Sequence, residues 1–167
     1  SLIRSGQFGV LCGRLQGKLA ARRFDKQHPD EKPSVAALTY SHKYTLRSMP
    51  QISDKTYDLA ISFLTPHYFA RERARAKKYA AWIHTDYAAL SLDRSAELAM
   101  WSKYDAICGV SEQASKSFQT AFPELAGKVQ TIENILPKEL ICKQTEEPQT
   151  DMSSDGSVLI LSVGRFC

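Results

Sequence analysis

The alternation of apolar and polar positions divides the chain into recognisable elements. Phe8, Leu11, Cys12, Leu15 and Leu19 stand at i, i+3, i+4, i+7 and i+11, the spacing of a helix with one apolar stripe. Arg14, Lys18 and Arg22 repeat every fourth residue on a different face, and so do Gly9, Gly13 and Gly17. Each glycine costs a helix about 1 kcal/mol relative to alanine, so the glycine series asks for a close-packing reason. Residues 25 to 56 hold Pro29, Pro33 and Pro50 among many polar residues and predict a loop with short helical pieces.

From Tyr57 the pattern becomes regular. Tyr57 to Leu64 is a short apolar run of the kind a buried strand makes. Thr65 then offers a helix cap, and Pro66 suits a first helical position. The helix that follows is predicted to carry Arg71, Arg73, Arg75, Lys77 and Lys78, and Tyr79 to Thr85 reads as the second strand. Leu92 to Lys103 predicts a helix capped near Asp93, with Ala96, Ala99 and Met100 on one face. Tyr104 to Val110 is a third strand. Ser111 caps a helix whose Ala114, Phe118, Ala121 and Phe122 share a face and which Pro123 stops. A fourth strand fits Val129 to Glu133, a polar stretch runs from Lys143 to Ser157, and Val158 to Val163 reads as one more buried strand.

Strands alternating with helices predict an α/β fold, a Rossmann-like parallel sheet with helices on both faces. Ligands of such sheets bind beyond the carboxyl ends of the strands, here near Thr65, His84 to Asp86, Ser111 and Asn134. The domain expectation is a partial first domain over 1–142, a linker over 143–157 and the first strand of a second domain over 158–167.

Composition narrows the class. A chain of 167 residues buries roughly 70% of its unfolded surface and can hold a core without staples. No apolar stretch approaches the ~18 residues that would span a bilayer. The four cysteines, Cys12, Cys108, Cys142 and Cys167, are scattered with no C-x-x-C pair, which suggests neither a disulfide framework nor a zinc site. With no signal-peptide pattern, a reducing cytoplasmic setting is the default expectation. The net charge of +4 conceals an asymmetry: through Lys78 there are 15 Lys and Arg against 6 Asp and Glu, and from Tyr79 onward 7 against 12. A basic front can meet phosphate, anionic lipid or nucleic acid, and charge alone does not choose among them.

Candidate chemistry lies at the strand ends. Trp82-Ile83-His84-Thr85-Asp86 places a histidine, able to bond a sugar hydroxyl or move a proton, beside a carboxylate. Gly164-Arg165 after the last strand could present a backbone N–H and a guanidinium to a diphosphate. No dinucleotide, P-loop, nucleophile-elbow or zinc-protease motif occurs, and the four histidines show no i, i+4 pairing that would suggest a metal. The basic stretch at 71–78, with Tyr68, Phe69 and Tyr79 nearby, has no nucleic-acid module beside it and reads as a solvated face.

Taken in order, the segments YDLAISFL, AAWIHTDY, YDAICGVSE, AFPEL, KVQTIENIL and VLILSVGRF resemble the family 4 glycosyltransferases of bacterial capsule, lipopolysaccharide and exopolysaccharide synthesis, over residues 57 to 167. The resemblance implies a GT-B fold, two Rossmann-like domains across a cleft, and retaining, metal-independent transfer from a nucleotide sugar to a glycan or lipid-linked acceptor. It implies a catalytic role for His84, acceptor binding for Asp86 and donor diphosphate binding for Gly164 and Arg165, with no cofactor beyond the nucleotide-sugar substrate. Family members carry a strand and glycine-rich loop before, and a donor-binding lysine and carboxylates after, the part that matches. The expectation is therefore a segment of a larger enzyme, by itself unable to transfer sugar. Arg14, Lys18, Arg22, Arg71, Arg73, Arg75, Lys77 and Lys78 are the candidate contacts to an anionic membrane, with the protein peripheral on the inner face of the cell membrane. Two other classes stay open: a non-catalytic α/β binding module docking on anionic lipid or phosphorylated partners, and another GT-B enzyme such as a nucleotide-sugar epimerase.

Overall fold

A computed structural model describes residues 8–29, 32 and 34–145. The chain divides into two compact units, 1–134 and 135–167. The first holds a four-stranded sheet of β1 (Thr56–Ser62), β2 (Arg75–Ile83), β3 (Ala106–Gly109) and β4 (Val129–Thr131), every pair parallel and the spatial order the same as the chain order. Helices α1 (Phe8–Gln27), α2 (Ala36–Thr45), α3 (His67–Arg73), α4 (Arg94–Trp101) and α5 (Glu112–Ala121) accompany it. The fold is thus α/β, with a parallel sheet flanked by helices, as the alternation of patterns predicts. In the second unit the described element is α6 (Lys138–Thr145), which carries on past residue 142, where the sequence reading ends the first domain. The expected strand at 158–163 lies outside the described residues.

The central strands supply the core. Ala81 pairs with Ile107 across β2 and β3, and both are fully buried. Around them Trp101, Tyr104, Phe118 and Phe122 are also fully buried, with the Trp101 and Phe118 rings edge to face at 5.2 Å and Phe118 4.9 Å from Phe122. Each such side chain contributes about 1.5–3 kcal/mol by leaving water, and each ring pair somewhat more. Helix starts follow side-chain caps at two places. Asp93 accepts from the Ala96 N–H ahead of α4, and Ser111 accepts from the Ala114 N–H ahead of α5.

Several expectations need correction. The strand β2 begins at Arg75, so Arg75, Lys77 and Lys78 belong to a strand and α3 ends at Arg73. Pro66 occupies the cap position of α3 and no side chain caps it, leaving Thr65 without the capping role. Among the described residues the first strand is an edge, not a buried strand: Tyr57, Leu59 and Ile61 are 42%, 50% and 53% exposed. On α4 the inward residues are Ala96, Glu97, Met100 and Trp101, while Ala99 faces out. The region 25–56, predicted as a loop with helical pieces, contains the end of α1, all of α2 and a short 3-10 turn at Leu46–Ser48.

On α1 the glycine series has the close-packing reason it asks for. The helix buries Gly13, Gly17 and Ala21, whereas Phe8, Leu15 and Leu19 face outward. A Cβ on Gly13 would lie 2.7 Å from the Tyr44 carbonyl oxygen, and one on Gly17 would lie 2.8 Å from the Ser41 backbone. The glycines let the backbones of α1 and α2 come together, and that contact outweighs the apolar stripe in deciding which face turns inward. α2 is fastened in turn to the rest of the unit. Val35 N–H donates to the Ser91 carbonyl at 3.0 Å, and the Tyr40 hydroxyl donates to Asp93 at 2.5 Å.

Candidate functional site

The carboxyl ends of β1 and β2 face α2, α3 and α4 across a cavity of about 200 Å³. His84 follows the last residue of β2 and lines this cavity. Its Nε2–H donates to the Phe63 carbonyl at 2.8 Å, and its ring stands edge to face on Phe63 at 4.6 Å. A carbonyl can only accept, so Nε2 carries the proton of this bond and Nδ1 is the ring's other hydrogen-bonding atom. The side chain is exposed, within reach of a ligand.

Deeper in the cavity are polar groups that the sequence reading did not single out. Glu97 is 6% exposed; its Oε1 accepts from the Thr39 hydroxyl at 2.8 Å and its Oε2 from the Trp101 indole N–H at 3.0 Å. Burial pushes its pKa up, and the hydrogen bonds from Thr39, Trp101 and Tyr87 pull the other way. His67 is buried, with Nδ1 2.8 Å from the Ser62 hydroxyl. Burial above all, and the neighbouring His84 and His42 after it, push its pKa down to about 4. Burial also lowers His42. At neutral pH the imidazoles of His42 and His67 therefore carry no charge, and aromatic walls from Tyr68, Trp82 and Trp101 complete the hollow. Uncharged donors and acceptors beside aromatic faces suit a ligand rich in hydroxyls and C–H surface better than a phosphate.

One signal for Glu97 was present in the sequence. It shares a helical face with Met100 and Trp101, at spacings of three and four, and a lone carboxylate on an apolar stripe must find partners inside. Thr39 and His42 had no such signal, because they come from the proline-rich region whose helix carries no clear stripe.

Asp86 goes elsewhere. It caps the short 3-10 turn Tyr87–Ala89, where Oδ1 accepts from the Ala88 N–H at 2.9 Å and from the Ser117 hydroxyl at 2.5 Å. The Ser117 bond first, and the Ala88 bond second, hold its carboxyl below the usual range. Oδ2 has a long contact of 3.5 Å with the Gln113 amide. Two residues from His84, Asp86 thus turns toward α5 and is not part of the cavity wall. Gly164 and Arg165 lie outside the described residues.

The basic candidates separate into two groups. Arg14, Lys18 and Arg22 are exposed on α1. Those of the other group mostly have partners. Arg71 donates to the Lys103 carbonyl at 3.0 Å and sits over the Tyr79 ring at 4.3 Å, and Arg73 donates twice to the Leu46 carbonyl. Lys77 pairs with Asp58 at 2.7 Å and Lys78 with Asp105 at 3.0 Å. Arg75 is exposed at the start of β2. Among the described residues no three His, Cys, Asp or Glu side chains gather as a metal ion would need. Cys12, Cys108 and Cys142 are free thiols, Cys108 buried in β3 as a small apolar residue. No described helix is long and apolar enough to cross a membrane. Compared with known protein families, with curated proteins and with solved structures, the chain matches none.

Proposed function

We propose that the chain is the acceptor-side part of a GT-B retaining sugar transferase, moving a sugar from a nucleotide-sugar donor to a glycan or lipid-linked acceptor during cell-surface polysaccharide synthesis at the cytoplasmic face of a membrane. The observation that carries the reading is the placement of His84. Its ring lies at the carboxyl end of β2, on the wall of a hollow lined by hydroxyls, imidazoles, aromatic faces and the buried Glu97 carboxyl. With Nε2–H tied to Phe63, Nδ1 is the atom available to accept a hydrogen bond from a sugar hydroxyl. Glu97 and Thr39 supply further polar contacts, and Tyr68 and Trp82 supply apolar surface for the sugar's C–H faces. Asp86, with Oδ1 engaged in its cap, keeps Oδ2 for an acceptor hydroxyl at the neighbouring loop. The resemblance in residue order to the family 4 glycosyltransferases implies that Gly164 and Arg165 meet the donor diphosphate.

The test uses the complete gene product, incubated with a panel of nucleotide sugars and glycan or lipid-linked acceptors, and reads release of the nucleoside diphosphate. Acceptor-dependent release is expected, and His84→Ala should lower turnover by about 10²-fold if the ring positions or deprotonates a hydroxyl. Asp86→Asn should raise the acceptor KM and leave donor binding unchanged. The proposal fails if no nucleotide is released from any donor, or if folded His84→Ala turns over at the unmodified rate.

A further inference from the structure

The cavity at the carboxyl ends of β1 and β2 holds a buried carboxyl with no cation paired to it among the described residues. Glu97, on α4, is 6% exposed and lines that cavity. Three groups direct hydrogens at it: the Thr39 hydroxyl at 2.8 Å, the Trp101 indole N–H at 3.0 Å and, over a longer 3.5 Å, the Tyr87 hydroxyl. An indole N–H can only donate, and donors converging on a carboxyl favour its ionised form. All three donors are neutral, and the ion pairs of the described residues leave Glu97 out. Asp93, one turn earlier, adds to the negative field, and Lys43 attracts Asp93 without pairing with either carboxylate.

Buried charges in proteins are paired or ligate a metal, so Glu97 calls for a cation from outside the chain. A metal ion needs further ligands, and no three His, Cys, Asp or Glu side chains gather among the described residues. An organic ammonium needs less: a carboxylate oxygen, and aromatic surface for the carbons beside its nitrogen. Oε1 accepts one hydrogen bond, from Thr39, and keeps a second lone pair. The half-buried Tyr68 and Trp82 line the same cavity. His42 and His67, both with pKa pushed down by burial, add no positive charge that would repel a cation. The cavity volume of about 200 Å³ is below the roughly 300–1,000 Å³ of drug-sized ligand sites, which limits the part it holds to about one small ring.

We propose that this cavity takes a ligand bearing an ammonium group, with the nitrogen against the Glu97 carboxylate and the ring beside Tyr68 and Trp82. The choice of a sugar for that ring rests on the transferase reading; the ammonium site does not. Within that reading the acceptor is an amino sugar with a free amine. A neutral sugar brings no charge to Glu97, and acetylating the amine removes the charge and adds bulk. Thr39 acts as a positioning residue, its hydroxyl holding Oε1 in place. The net charge of +4 disfavours non-specific attraction of cations, so a preference for an amine over an alcohol of the same shape reports the site itself.

The experiment is titration of the full chain, at pH 7 and constant ionic strength, with two pairs of probes: glucosamine against glucose, and cyclohexylammonium against cyclohexanol. NMR of the tryptophan indole N–H signals follows binding. Within each pair the two probes differ at one position, chiefly in charge. The expected result is saturable binding of the amine, about tenfold or more tighter than its neutral counterpart, with a shift of the Trp101 signal, whose N–H bonds Glu97. Glu97→Gln should erase the preference. Its amide can still accept from Trp101 and donate to the Thr39 hydroxyl, and circular dichroism with the melting midpoint reports whether the fold is kept. The comparison of amine with alcohol is made on the unmodified chain and decides the matter even if the variant does not fold. Binding of cyclohexylammonium but of neither sugar would uphold the ammonium site and count against the sugar-transfer reading of the cavity. The proposal is overturned if neither amine binds more tightly than its counterpart, or if the preference persists in folded Glu97→Gln.

Discussion

His67 shows at the scale of one side chain how burial keeps an imidazole uncharged and what that costs. Its folded pKa of about 4 lies below the ordinary 6.5, chiefly because burial penalises the imidazolium. Below pH 6.5 the unfolded chain takes up a proton that folded His67 refuses until about pH 4. Its contribution is therefore fully present above pH 6.5 and declines as the pH falls through that window, by about 3 kcal/mol at the lower end. Urea unfolding at pH 7, 6, 5 and 4 should show this decline, and His67→Gln should lack it, so that the difference between the two proteins changes with pH. Parallel slopes would mean that the imidazole is not held neutral by burial. Glu97 contributes in the opposite direction. Its pKa is raised, so the carboxyl keeps its proton in the folded state above the usual range and stability falls as pH rises through that region. The hydrogen bond from Thr39 limits this cost. Thr39→Val removes the donor to Oε1 while preserving shape, and should destabilise by about 1–3 kcal/mol in the same unfolding assay at pH 7.

Among the elements, the α1–α2 pair is the one whose packing is decided by the absence of side chains. An alanine in a helix is ordinarily favoured over glycine by about 1 kcal/mol, so the sign of each glycine-to-alanine change reads the space available. At Gly13 and Gly17 the added Cβ meets backbone at 2.7 and 2.8 Å, which cannot rotate away. Gly13→Ala and Gly17→Ala should therefore push the helices apart and lower stability by about 1–3 kcal/mol despite the gain in propensity. At Gly127 nothing lies within 4 Å, and Gly127→Ala should leave stability within about 0.5 kcal/mol. Thermal melts of the three variants, with hydrogen exchange of the α1 amides, check the series. Equal effects at all three positions would show that the close approach does not hold the pair together. Elsewhere the elements were legible where period and cap agreed: Asp93 and Ser111 mark their helices, and Phe118 and Phe122 mark the core face of α5. The helix–strand boundary near Ala74 was not, because Arg71 to Lys78 is charged except for Ala74 and Ala76 and holds no large apolar residue whose period would separate the two states. The orientation of α1 escaped for a different reason: a periodicity argument weighs hydrophobic side chains, and this interface is made of backbone.

The whole molecule repeats that lesson in its sheet. Strand and helix alternation was enough to give a parallel α/β sheet and to direct attention to the carboxyl ends of the strands, and so to His84. It could not give the cavity, since α2 reaches those strand ends from a segment whose prolines obscure its pattern, and Thr39 lies 58 residues from the Glu97 it bonds. Nor could it distinguish a central strand from an edge, because an apolar run such as Tyr57 to Leu64 satisfies both. The structure orders the strands β1-β2-β3-β4, so β1 pairs on one side alone among the described residues. Tyr57, Leu59 and Ile61 remain between 42% and 53% exposed along that strand, and Phe63 just beyond it is 49% exposed. An edge that is apolar and lacks a proline or a bulge is a template for another chain, whereas a lysine on it discourages pairing. The protein as given should therefore associate as its concentration rises, and Ile61→Lys should suppress this. Ile61 contributes little to the core, so the substitution should shift the melting midpoint by no more than a few degrees. Static light scattering of both proteins across a concentration series, at high salt to screen the basic front, is the measurement. If Ile61→Lys associates as strongly as the unmodified chain, the edge is not the contact and another exposed surface must be responsible.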